Sequence, residues 1–149
     1  MRSFEIKPVG NDDFHRWLPL WESYQRFYEV DIPEPVTRET WARFLDPSEP
    51  MHAALATAGE QTYGLVHSIY HRSTWTTGDY CYLQDLFVTA DARGGGIERA
   101  LIEYVCAAAK QRGVSRVHWL THETNRVGMR LYDSVADKSG FIQYRKSIA

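Results

Sequence analysis

Cysteine is scarce: Cys81 and Cys106 are the only two, and they stand far apart with no Cys-x-x-Cys pairing. That excludes a disulfide framework and leaves two free thiols suited to a reducing compartment. No apolar run approaches the ~20 residues needed to span a bilayer. The opening stretch MRSFEIKPVG has no apolar core of signal-peptide length, so a cytoplasmic protein without membrane attachment is expected. Neither sign of charge dominates, the net charge being -2, and no Lys/Arg run is dense enough for a nucleic-acid groove. Metal-ligand spacing is also lacking. His67 and His71, like His118 and His122, are four apart on expected strands, where that interval spans about 13 Å, so no metal is expected. No Gly-x-Ser-x-Gly nucleophile turn occurs. What remains is ordinary globular composition, 44% apolar and 24% charged over 149 residues, read as one domain over 1–149. A domain of that size buries roughly two-thirds of its unfolded surface and needs no staple.

Aromatics reach 13%, many of them before Pro50. Phe4 and Ile6 alternate with polar neighbours as a short strand. Asn11-Asp12-Asp13 is an N-cap cluster, and Phe14, Trp17, Leu18, Trp21, Tyr24 and Tyr28 then recur at helical spacing. Ile32-Pro33-Glu34-Pro35 breaks that helix. A second short helix follows Thr37 through Trp41, Phe44 and Leu45. Strands are expected at 51–58, 63–72 and 80–89, with short loops favouring antiparallel pairing. Ile97, Leu101, Val105 and Ala108 carry a helical stripe to Arg112, with Gly113 as C-cap. A strand over 114–121, a helix over 125–136 and a last strand over 141–146 complete the chain. This order predicts an α+β fold: a mixed, mostly antiparallel sheet flanked by helices, with one strand-helix-strand crossover.

The chemistry concentrates where a strand runs into Arg93-Gly94-Gly95-Gly96 at the start of a helix. A helix's first turn leaves backbone N–H groups unpaired, its dipole adds roughly half a positive charge, and glycines let an anion approach the backbone. The turn suits a phosphate or pyrophosphate, with Arg93 as a nearby cation. Taken alone, the triplet also fits a plain flexible connection. No Gly-Lys-Ser/Thr follows, which excludes a Walker loop, and the Gly-x-Gly-x-x-Gly dinucleotide fingerprint is not met.

The stretch Arg93-Gly94-Gly95-Gly96-Ile97-Glu98 resembles the pyrophosphate motif Arg/Gln-x-x-Gly-x-Gly/Ala of the GNAT superfamily of N-acetyltransferases. Arg93 and the central Gly96 match, and Glu98 stands where Gly or Ala is usual, with its side chain expected to point away from the cofactor. Downstream, Asn125-Arg126-Val127-Gly128-Met129-Arg130-Leu131-Tyr132 is similar to the family's Asn-x-x-Ala-x-x-Leu-Tyr signature. Gly140-Phe141 resembles its closing Gly-Phe, displaced by about four residues. The Leu-x-Asp-Leu-Phe-Val and Leu-Tyr-Asp themes also occur in members acting on amines, polyamines and amino acids.

The resemblance implies a three-layer α/β/α fold and an acetyl-CoA-dependent transfer to a primary amine by direct attack in a ternary complex. It implies cofactor contacts from Leu86, Phe87, Val88, Arg93, Gly94, Gly95, Gly96, Ile97, Asn125 and Tyr132. Tyr132 takes the general-acid position, since a phenol with a pKa near 10 suits a thiolate leaving group, although its helical spacing with Gly128 also fits packing. Gln84 cannot accept a proton, so Asp85 is the local candidate for base or amine anchor; a structural pairing with a basic residue is the other reading. Tyr28 and Glu29, near the helix break, are candidate substrate contacts with Gln84, since carboxylates and ring faces suit a cation. A small cationic amine, polyamine or amino acid is the expected acceptor. A silent acyl-CoA-binding domain and a peptide N-acetyltransferase are the other two functions the sequence allows. Dimerisation is common in the family, so a homodimer is expected.

Overall fold

Three apolar-rich runs in the middle of the chain, two of them buried over five consecutive positions, form the long strands of one sheet. The computed structural model describes residues 3–148. The sheet holds β1 (Glu5–Pro8), β2 (Met51–Ala58), β3 (Gln61–Arg72), β4 (Asp79–Val88) and β5 (Val117–His118), in that spatial order. The first three pairings are antiparallel and β4–β5 is parallel. The helices are α1 (Phe14–Phe27), α2 (Glu34–Leu45), α3 (Ile97–Gln111) and α4 (Arg126–Val135). The chain divides into a larger unit ending at Trp119 and a smaller one beginning at Leu120.

In the larger unit, α1 and α2 cover one face of the sheet. Trp17, Leu20, Trp21 and Trp41 from these helices bury against Leu55, Leu65 and Phe87. Each such side chain contributes roughly 1.5–3 kcal/mol. That burial offsets Pro19, which lies inside α1 and removes one helical hydrogen bond. The other face carries α3, whose stripe Ile97, Leu101, Ile102, Val105 and Ala109 is buried. Gly64 permits that contact. A Cβ there would lie 3.0 Å from the Phe87 carbonyl oxygen and 3.1 Å from Leu101 Cδ1. The α+β reading and the helices on both faces agree with the expected layering.

A bulge in β4 decides which residues face which layer. Asp85 opposes His67 and Leu83 opposes Ser68, so Gln84 is an extra residue on β4. Strand residues two apart normally share a face. Here Cys81 and Leu83 share the α3 face with their partners Tyr70 and Ser68, while Asp85 and Phe87 turn to the α1 face.

Three expectations are corrected. The strand expected over 114–121 is reduced to Val117–His118. Its start is taken up by the end of α3, where Gly113 has φ 76° and the Val114 N–H donates to the Ala109 carbonyl at 3.0 Å. Its end turns locally, with Thr121 Oγ1 accepting from Asn125 Nδ2 at 2.9 Å. The last strand, expected over 141–146, does not form: these residues pair with no strand, and Phe141, Ile142 and Tyr144 are 80%, 77% and 90% exposed. Alternation alone cannot make a strand without a neighbouring edge to satisfy its backbone. Finally, α2 begins at Glu34 rather than after Thr37, because Pro35 falls in the first turn, where a missing N–H costs nothing.

In the smaller unit, α4 is capped as its sequence predicts. The Asn125 side chain accepts the Gly128 N–H at 3.2 Å. It folds so closely over Gly128 that a Cβ there would stand 2.4 Å from Asn125 Nδ2.

Candidate functional site

The glycine turn joins β4 to α3 through a 3-10 turn, Ala90–Ala92. Gly94 and Gly96 have φ of 82° and 87°, the left-handed region that side chains resist. Gly96 is the N-cap of α3, and its carbonyl accepts the Ala100 N–H at 3.0 Å. The N–H groups of Ile97, Glu98 and Arg99 precede the first intrahelical donor and point out of the helix end. A Cβ built at Gly94 or Gly96 meets nothing within 4 Å, so the space over the turn is open. Arg93 is pinned beside it. Its Nε donates to the Val88 carbonyl at 3.1 Å, and its guanidinium lies 5.0 Å from the Phe27 ring centre and 5.7 Å from that of Phe87. A fixed cation, outward N–H groups and open space fit a diphosphate.

The strand feeding this turn has a vacant side. β5 meets β4 only at Cys81 and Tyr82. From Leu83 to Val88, β4 has no strand partner on the side away from β3 among the described residues. Leu86, Phe87 and Val88 therefore offer an edge to which an extended, amide-bearing ligand can add as a strand would.

On the α1 face, the bulge delivers Asp85 beneath two tyrosines. Tyr24 donates to Asp85 Oδ1 at 2.6 Å, and His67 Nδ1 meets Asp85 Oδ2 at 2.9 Å. Tyr24 packs on Tyr28 with ring centres 4.7 Å apart. Burial, followed by the charge and hydrogen bond of Asp85, pushes the Tyr24 phenol far above its ordinary range, so it stays protonated. Burial raises Tyr28 as well, reinforced by Glu98 and Asp85 and opposed by Arg93. Burial also raises the Glu98 carboxyl, against the pull of Arg93. Glu98 thus sits half-buried within the influence of Arg93 and Tyr28, between the glycine turn and the paired tyrosines.

Asp85, Tyr28, Arg93 and the glycines gather in the larger unit. Gln84 is the exposed bulge residue. Glu29 is exposed and closes α1 with φ 54°, a conformation uncommon for a residue bearing a side chain. Asn125 and Tyr132 belong to α4 and its cap, in the smaller unit; Tyr132 is half-buried. Sequence reasoning missed Trp17, Tyr24 and His67 as polar participants. Trp17 and Tyr24 carried only a packing signal. His67 had no local signal, because its partner Asp85 is set by strand register.

The model of the acetyltransferase (GNAT) family matches residues 17–136. The chain belongs to the GNAT family. It is an acyltransferase by that membership, and the family uses acetyl-CoA as cosubstrate. This member is 34% identical over 144 residues to a D-amino-acid N-acetyltransferase of Saccharomyces cerevisiae, covering 95% of the chain and 89% of the relative. It is 26% identical over 135 residues to a thialysine N-epsilon-acetyltransferase of Caenorhabditis elegans, covering 91% and 83%. Its fold matches the crystal structure of a ribosomal-protein-alanine N-acetyltransferase from Brucella melitensis biovar Abortus 2308. That match has a TM-score of 0.79 at 22% identity and covers 99% of this chain and 100% of the other. This GNAT protein is an N-acetyltransferase acting on amines. Among its described residues no group of three or more His, Cys, Asp or Glu is placed to hold a metal, and no helix is long and apolar enough to cross a membrane.

Proposed function

We propose that the protein acetylates the amine of a small cationic molecule or amino acid, using acetyl-CoA in a ternary complex, with residues 1–149 acting as one domain. Acetyl-CoA, when bound, supplies the acyl group as an activated thioester. The single observation that carries the reading is the continuity of an open β4 edge with an open glycine turn at a helix N-terminus. In this reading the N–H groups of Gly94 to Ile97 and the charge of Arg93 hold the diphosphate. The Leu86–Val88 edge holds the amide-bearing arm and faces the acyl carbonyl with an N–H. Asn125 hydrogen-bonds the same arm, and Tyr132 is the acid that protonates the departing sulfur.

Asp85 is the base or anchor for the ammonium. Its burial under Tyr24 and Tyr28 supports a cation site of one carboxylate and two ring faces. Tyr28, Glu29 and Gln84 are the weaker acceptor contacts. The D-amino-acid and thialysine N-epsilon-acetyltransferases among the relatives support amino-acid acceptors, the second of them at the side-chain amine. Two free cysteines support a cytoplasmic setting, and the family resemblance supports a homodimer, which light scattering on the purified protein checks.

The decisive experiment is a spectrophotometric thiol-release screen with acetyl-CoA over D- and L-amino acids, thialysine, polyamines, aminoglycosides and short peptides. Turnover is expected with amino acids or small amines. Thiol release with peptides alone would replace this reading by peptide acetylation. A CoA-induced rise in Tm without any thiol release would replace it by a silent acyl-CoA-binding domain.

A further inference from the structure

A row of hydrogen bonds crosses the core from α1 to β3 to β4 and back to α1. Trp17 Nε1 lies 2.9 Å from His67 Nε2, His67 Nδ1 lies 2.9 Å from Asp85 Oδ2, and the Tyr24 hydroxyl donates to Asp85 Oδ1 at 2.6 Å. Trp17 is fully buried, His67 is 3% exposed and Asp85 9%. The direction of the row follows from one fact: an indole N–H can only donate. His67 Nε2 must therefore accept, which puts the imidazole's single proton on Nδ1, facing Asp85. A doubly protonated ring would set two donors against each other at Nε2. Asp85 then receives donors at both oxygens, the pairing that suits a carboxylate. Trp17, 50 residues from His67 in sequence, thus turns the His67 Nδ1–H toward Asp85.

Groups from several surrounding elements act on this row, while α2 packs Trp41 against Trp17 and Phe44 against His67. Tyr28 on α1, Tyr82 on β4, Arg93 in the glycine turn and Glu98 on α3 influence Tyr24 or Tyr28. Arg93 is the only cation among them and opposes the upward shift of Tyr28.

Resting on the acetyl-transfer reading, we propose that Tyr24 is the group that takes the acceptor's proton, with Asp85 as the sink and Trp17 and His67 as positioning residues that keep the sink charged. One N–H bond of the ammonium breaks and its proton goes to Tyr24 Oη. The Tyr24 O–H bond breaks in the same step and its proton goes to Asp85 Oδ1. Ammonium and carboxylate become amine and carboxylic acid, and the phenol is unchanged. Tyr132 gives its proton to the departing sulfur, and the second proton of the attacking nitrogen replaces it, so the acid too ends unchanged. The proton on Asp85 returns to solvent by the same path after the product departs. The phenol is a conduit and never a free phenolate, in keeping with the burial that keeps it protonated.

Two measurements test this. The first is 15N NMR of the imidazole in the wild-type protein, which needs no substrate. His67 is expected as the neutral Nδ1–H tautomer at the pH of the assay. An Nε2–H tautomer or a doubly protonated ring overturns the proposal. The second is kcat/KM against pH for Tyr24→Phe, His67→Asn and His67→Leu, each checked for fold by circular dichroism. Tyr24→Phe is expected to lose roughly 100-fold, with log kcat/KM rising at unit slope up to the amine's own pKa and CoA affinity unchanged. His67→Asn, whose amide N–H can still reach Asp85, should keep the wild-type profile. His67→Leu should move the acid limb to higher pH. A Tyr24→Phe profile superimposable on wild type overturns the relay, and identical Asn and Leu profiles overturn the positioning role. If wild-type protein releases no thiol with any amine, the acetyl-transfer reading falls and the relay with it, whatever tautomer the NMR finds.

Discussion

Gly96 joins two demands at one Cα: a left-handed backbone at the helix N-cap and open space for an anion. Any side chain there strains the backbone by roughly 1–2 kcal/mol, and a carboxylate also repels a diphosphate. Gly96→Glu is therefore expected to abolish CoA binding by calorimetry; retained binding would put the diphosphate elsewhere. Tyr132→Phe separates chemistry from binding. Turnover should fall more than CoA affinity, and an unchanged kcat would remove Tyr132 from the acid role. The two thiols differ by burial. Cys81 is fully buried, and desolvation pushes it up to about 11, whereas Cys106 is exposed at the surface. A thiol reagent at pH 8 should titrate one cysteine quickly and the second only on unfolding. The folded Cys81 thiol ionises above the unfolded one. Its contribution to stability is thus intact below about pH 9 and declines as pH climbs toward 11. A Cys81→Ala variant should lose that part of the alkaline decline in chemical denaturation.

Each element end prepares part of the site. The first turn of α3 reaches the sheet because Gly64 offers no Cβ to the Phe87 carbonyl and Leu101. Gly64→Ala should destabilise the protein by about 1–3 kcal/mol and weaken CoA binding, because the turn that supplies the N–H groups must lift. Equal CoA affinity in the variant would show that the turn is positioned by its own glycines. α1 ends on Glu29 in the left-handed conformation, with the Val30 N–H closing onto the Gln25 carbonyl at 2.9 Å. Glycine is the usual residue there. Glu29→Gly should raise Tm by about 2–4 °C, the shift that ~1 kcal/mol produces in a domain of this size. It should also raise KM for a cationic acceptor if the carboxylate contacts it. A stabilised variant with unchanged KM would remove Glu29 from the acceptor site.

At the scale of the whole molecule, the sheet separates two chemistries. On the proposed function, the glycine turn and the β4 edge serve the anionic cosubstrate, and the α1 face serves the acceptor amine through Asp85 and Tyr24. Much of this was legible in the sequence, because it rests on local rules. The Asn125 cap, the helical stripe Ile97–Leu101–Val105, the glycine turn and the three long strands depend on neighbours within a few residues. The strand expected at Phe141–Lys146 failed because alternation says nothing about whether an edge is there to meet it. Tertiary structure alone decided the rest. Asp85 faces α1 rather than α3 because one extra residue, Gln84, flips the strand's faces at that point. His67 matters because register sets it opposite Asp85, and Trp17 because helix packing aims an indole N–H at it. The sequence by itself determined which residues could bind an anion or carry a proton. Only long-range pairing determined which of them touch, since register and packing link residues that no local pattern connects.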